Sequence, residues 1–155
     1  MLYENLTKVT IDTSVLVQAA RSVDKNIDNE NSKLIRQLDN NRFVLEANAR
    51  ILTEYERVLN DQVKQGKIHS ETAGKILKLV RERGHFGRFF VDPVIVIPPD
   101  FSDNHFFASP NCLGADYLIT SNSRHFEPIS GDLEKLNLKL KILTSAEFQK
   151  IINRQ

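Results

Sequence analysis

The chain has 155 residues, 41% of them hydrophobic, which suits one domain with a continuous core and excludes the disordered class. With a formal net charge of +1 the whole-molecule field neither demands nor forbids nucleic acid, so any phosphate binding must come from local patches. No stretch approaches the ~20 apolar residues of a membrane span, and the start, MLYENLTKVT, lacks a basic-then-apolar leader pattern. Cys112 is the single cysteine, so no internal disulfide can form, and it reads as a small core residue. A cytoplasmic location is the expectation.

Short β-type runs alternate with helical patterns, which predicts an α/β domain with a mainly parallel sheet. Lys8–Ile11 reads as a first strand ending at Asp12. A short helix follows from Thr13 or Ser14, carrying Val15, Leu16 and Ala19, and the polar stretch 21–31 reads as a loop. Ser32–Leu38 is a second helix, with Leu34, Ile35 and Leu38 on one face, and Phe43–Ala47 a second strand. From Arg50 to about Lys64 the apolar residues Ile51, Leu52, Tyr55, Val58 and Leu59 fall at helical spacing, and Gly66 stops the helix. Ser70 is the expected N-cap of the next helix, which buries Ile76, Leu77 and Val80 and ends near Gly84. Val94–Ile97, closed by Pro98 and Pro99, reads as a buried third strand. Asp103–Leu113 reads as a helix ending at Gly114, with a kink or break at Pro110. Tyr117–Thr120 and Lys139–Leu143 are the fourth and fifth strands, and Thr144 with Glu147 forms a capping box for the closing helix.

In an open parallel sheet, ligands sit beyond the carboxyl ends of the strands. Asp12 follows the first strand, Asp103 opens the helix after the third, and Asn122 follows the fourth. Glu54 lies early in the long helix after the second strand and can lean towards the same edge. Two carboxylates ~4 Å apart repel by about 4 kcal/mol at an effective dielectric of 20, so such a group calls for a proton or a cation. Oxygen-only ligands select a hard ion, Mg²⁺ or Mn²⁺, which can serve an in-line phosphodiester displacement. Each acid also has a structural reading. Asp12 and Asp103 can be N-caps, Glu54 a solvated helical residue, Asp116 a turn residue and Asp100 a loop acid.

At these residues the sequence resembles a PIN domain, the nuclease fold of many prokaryotic toxin–antitoxin toxins and of RNA-processing enzymes. VTIDTSVLVQAA resembles the family's opening strand, Asp-Thr-Asn/Ser and apolar helix, with the first acid at Asp12 and the hydroxyl at Ser14. ILTEYERVL resembles the second motif, with Glu54 as its acid. DNHFFASPNCLGADYLIT is similar to the third, with its acid at Asp103. TSNSRHFEPI resembles the last motif, and ILTSAEF the strand-helix close. The last motif usually offers an acid shortly after Thr120. Here the two candidate places hold Asn122 and His125.

The resemblance implies a single PIN-like domain over 1–155, a three-layer α/β/α fold with about five strands. It implies a metal-dependent endoribonuclease acting on single-stranded RNA, the toxin of a toxin–antitoxin pair, partnered by an antitoxin and dimeric. Asp12, Glu54 and Asp103 would ligate Mg²⁺ or Mn²⁺, with Asn122 at the fourth catalytic place and Ser14 and Thr120 supporting. The alternative is a weakened PIN-like module that binds RNA or a protein without cutting. Lys75, Lys78, Arg81, Arg83 and Arg88 form a basic strip that either follows phosphates or is a solvated helix face. Phe86, Phe89 and Phe90 beside it read as a stacking platform or as buried aromatics.

Overall fold

A computed structural model describes residues 6–87, 114–121 and 139–153. Five strands, β1 (Lys8–Ile11), β2 (Val44–Asn48), β3 (Gly84–Gly87), β4 (Tyr117–Ile119) and β5 (Lys141–Leu143), form one sheet in the order β3-β2-β1-β4-β5. Every neighbouring pair is parallel. Among the described residues five helices accompany them: α1 (Thr13–Asp24), α2 (Glu30–Asp39), α3 (Ala49–Lys64), α4 (Ser70–Arg83) and α5 (Ser145–Ile152). This is the expected α/β/α architecture, with an all-parallel central sheet among the described residues.

The core follows from the apolar spacing of each element. Leu34, Ile35 and Leu38 of α2, Ile51, Tyr55 and Leu59 of α3, and Ile76, Leu77 and Val80 of α4 are buried with Val9, Ile11 and Leu45 of the sheet. In α5, Phe148 meets Phe43 and Tyr117 edge-on, at ring-centroid distances of 5.6 and 6.0 Å. Among the described residues no helix is long and apolar enough to cross a membrane.

Several boundaries differ from the sequence expectation. The first helix runs on to Asp24 through the polar stretch, because Ala19, Ala20 and Ser22 are buried beneath it. Its last turn closes through Asn26 at φ 55°, where Asn26 N donates to Val23 O at 3.1 Å and Ile27 N to Ser22 O at 2.8 Å. The second helix starts at Glu30, because Asn29 rather than a residue within Ser32–Leu38 caps it. The second strand is shifted one residue, to Val44–Asn48, and Asn48 caps α3 by accepting from Ile51 N at 2.8 Å. In α4 the cap position is His69, with Ser70 the first helical residue. Asp24 stands in for a cap side chain there, accepting from His69 N at 3.2 Å and Thr72 Oγ1 at 2.7 Å.

The largest difference is β3, which lies at Gly84–Gly87, where the sequence suggested only the end of a helix near Gly84. Arg83 ends α4 and Gly84 begins the strand with no connecting residue between them. A Cβ at Gly84 would lie 2.5 Å from the Val80 carbonyl oxygen and 2.8 Å from the Phe86 ring, so the direct passage requires glycine. The strand expected at Val94–Ile97 and the helix expected at Asp103–Leu113, with Pro110 and Cys112, lie outside the described residues.

Candidate functional site

The chain runs outward from β1 to β2 and β3, then continues on the other side of β1 with β4 and β5. The strand order therefore reverses between β1 and β4, and a crevice for ligands opens beyond the carboxyl ends of the strands at such a reversal. Asp12 and Thr120 are the residues that leave β1 and β4 at that point. Asp12 N donates to Ile119 O at 2.9 Å, so the ladder continues to the strand ends and holds the two residues side by side.

Asp12 occupies the N-cap position of α1, yet its carboxylate makes no capping bond. Its backbone carbonyl accepts from Val15 N at 3.0 Å and Leu16 N at 3.2 Å, so the main chain starts the helix. The side chain is instead held by hydroxyls. Thr120 Oγ1 donates to Asp12 Oδ2 at 2.8 Å and Ser14 Oγ donates to the same oxygen at 3.1 Å. Ser14 Oγ also lies 2.9 Å from Ser121 Oγ. Asp12 is only 5% exposed, a costly place for a charge.

Glu54 comes from the second turn of α3 and is half-buried, turned towards α1 rather than to open solvent. The Thr13 hydroxyl donates to its carboxylate. Two further contacts fix how α3 lies against the start of α1. The Tyr55 hydroxyl donates to the Ile11 carbonyl, and Arg21 donates to Gln62 Oε1 at 2.9 and 2.6 Å. Burial raises the Asp12 pKa above its ordinary 3.8, the Thr120 and Ser14 hydroxyls pull it down, and the Glu54 charge pushes it up again.

Of the six residues singled out in the sequence, the structure brings together Asp12, Ser14, Thr120 and Glu54. Asp103 and Asn122, with His125, lie outside the described residues. Among the described residues no three His, Cys, Asp or Glu side chains gather as metal ligands. The donor set that is described fits a hard divalent cation: two carboxylates and several hydroxyls, without sulfur or imidazole. Burial and the nearby Glu54 charge both disfavour the ionised Asp12, a cost that either a proton or a cation would relieve.

Three polar features escaped the sequence reading. Thr13 and Ser121 adjoin motif residues, and adjacency was their only signal. Glu46, 3% exposed in the middle of β2, accepts from or donates to His85 Nδ1 at 2.9 Å across the β2–β3 pair. Asp116 does more than turn the chain: it accepts from Lys8 N at 2.9 Å and faces Lys139 at 3.4 Å, at the edge of the sheet opposite Asp12. The basic strip on α4 is charge-balanced. Lys75 lies 3.2 Å from Glu71, Lys78 3.9 Å from Glu82, Arg81 2.6 Å from Glu56 and Arg83 4.0 Å from Asp39. Phosphates following this strip would have to share or break those pairs. Phe86 packs against the core, while Arg88, Phe89 and Phe90 lie outside the described residues.

The sequence matches the PIN domain family over residues 8–124. Comparisons with curated proteins and with solved structures found no match.

Proposed function

The chain belongs to the PIN-domain family, whose members are generally metal-dependent nucleases, and we propose that it is an endoribonuclease that cleaves single-stranded RNA with Mg²⁺ or Mn²⁺. The observation that carries this reading is the Asp12 carboxylate. It is buried at the β1/β4 reversal, unused as a helix cap, and set beside Glu54. An aspartate serving only as a helix cap would accept from the N–H of Ser14 or Val15, and Asp12 makes no such capping bond.

In this reading Asp12, Glu54 and Asp103 would hold the ion, with Asn122 at the fourth place. When bound, the ion would supply activation of a water and stabilisation of the leaving oxygen in a displacement at phosphorus. The chain's own part is orientation and charge. Thr120 and Ser14 direct the Asp12 oxygens, and α3 delivers Glu54 to the same crevice. Asn122 contributes an oxygen without charge, which lowers metal affinity relative to a fourth acid. That neutral residue is also what favours a second reading, a PIN-like module that binds RNA or a protein and no longer cuts. The biological role we assign is that of a cytoplasmic toxin held by an antitoxin and acting as a homodimer, on the family resemblance.

The test is incubation of the purified protein with end-labelled single-stranded RNAs of varied sequence. Cleavage is expected with Mn²⁺ or Mg²⁺ and should stop with EDTA. Asp12→Asn should lower the rate more than tenfold, above ~1.4 kcal/mol on the barrier. Binding of the same RNAs without cleavage, with metal present and antitoxin absent, would establish the binding module instead.

A further inference from the structure

Glu54 poses a problem that the metal-site reading leaves open. A glutamate on an amphipathic helix has three rotatable bonds and gains most by extending into water, so proximity in the fold does not by itself keep its carboxylate at the crevice. Something must hold it there before an ion arrives.

Thr13 is placed to do so. It is the first residue of α1, directly after Asp12, and it is buried. Its hydroxyl donates to Glu54 Oε2, and its backbone N–H favours the charged form of Asp12. One residue thus faces both acids. A β-branched side chain has few χ1 states in a helix, so the hydroxyl is aimed with little entropy left to lose. The backbone around it is fixed at both ends of the α1–α3 contact, by Tyr55 to Ile11 and by Arg21 to Gln62. We propose that Thr13 is a positioning residue that sets the Glu54 carboxylate beside Asp12 and so pre-forms a divalent-cation site.

The inference rests on the metal-site reading and narrows it to one hydroxyl. A short serine hydroxyl at 13 can make the same bond, whereas valine keeps the shape and removes it. Residues that orient metal ligands typically change affinity by about 10–100-fold when lost.

The experiment is calorimetric titration of the full chain with Mn²⁺ alone, for wild type, Thr13→Val, Thr13→Ala, Thr13→Ser, Glu54→Gln and the pair Thr13→Val with Glu54→Gln. Thr13→Val and Thr13→Ala should weaken Mn²⁺ binding about tenfold or more. Thr13→Ser should stay within about threefold of wild type, and the valine change should add little once Glu54 is already glutamine. Melting temperatures in EDTA should not track this ranking. The alanine variant serves where valine impairs folding. Wild-type affinity in the valine or alanine variant, or losses that multiply in the pair, would overturn the positioning role while leaving the metal site standing. Wild type that binds no Mn²⁺, or binds it as well as Glu54→Gln does, would remove both.

Discussion

Asp12 is a residue whose environment works against its own charge. Burial raises its pKa, and the Glu54 carboxylate adds to the rise. The folded state therefore binds its proton more tightly than the unfolded chain. Asp12 contributes stability below its ordinary 3.8, and that contribution is lost as pH rises through the raised folded value. At neutral pH without metal, the aspartate costs the fold stability. Asp12→Asn should then raise the melting temperature in EDTA by about 2–4 °C, the size of ~1 kcal/mol in a chain of this length, and should abolish the stabilisation by added Mg²⁺. Differential scanning calorimetry decides it: a variant that melts lower than wild type in EDTA would show that Asp12 is mainly a structural acceptor. Tyr55→Phe carries the opposite sign. It removes the donor to the Ile11 carbonyl just before Asp12, and should cost about 1–2 kcal/mol in urea denaturation. The position of Asp12 was legible from a β-branched strand followed by an acid. Its partnership with Thr120, 108 residues on, was not.

At the scale of elements, the well-read parts are those with local chemistry. Gly66 ends α3 with φ 70°, donating to Val63 O at 3.0 Å while Lys67 N reaches Gln62 O at 2.9 Å, and Thr144 with Glu147 forms the capping box of α5. The element that local chemistry hid is β3. GHFG has two side chains between glycines and no β-branched residue, so neither period nor propensity marks it. Its register against β2, Glu46 opposite His85, is a tertiary fact. Gly84 makes a test of it. Gly84→Ala places a methyl against the Val80 carbonyl and the Phe86 ring, and should destabilise by about 1–3 kcal/mol by overpacking. A chemical denaturation midpoint equal to wild type would mean that α4 and β3 are joined more loosely than the direct passage requires.

At the scale of the whole molecule, the acids with shifted titration among the described residues split by sign. Asp24, Asp28 and Glu147 are held below their ordinary values, chiefly by bonds from Thr72, from Arg36 and from the Thr144 backbone N–H respectively. Their contributions are present above 3.8 for the aspartates and 4.5 for the glutamate, and are lost as pH falls through the lowered folded values. Asp12 alone among these acids runs the other way. Metal-free protein should therefore gain stability as pH falls through the raised Asp12 value towards 3.8, and lose stability as pH falls further through the lowered values of the other acids. Saturating Mg²⁺ should flatten the first limb, because the ion replaces the proton at Asp12. Thermal melts across pH with and without EDTA read this directly, and a metal-free stability that falls steadily below neutral pH would contradict it.

The strand-end geometry also predicts where the ion sits. Crystals of the protein grown with Mn²⁺ and measured at a wavelength that reveals manganese by anomalous scattering should show a peak at the β1/β4 reversal, bonded to the carboxylates of Asp12 and Glu54. A manganese peak elsewhere on the molecule, with none in contact with Asp12, would contradict the assignment of this crevice as the metal centre.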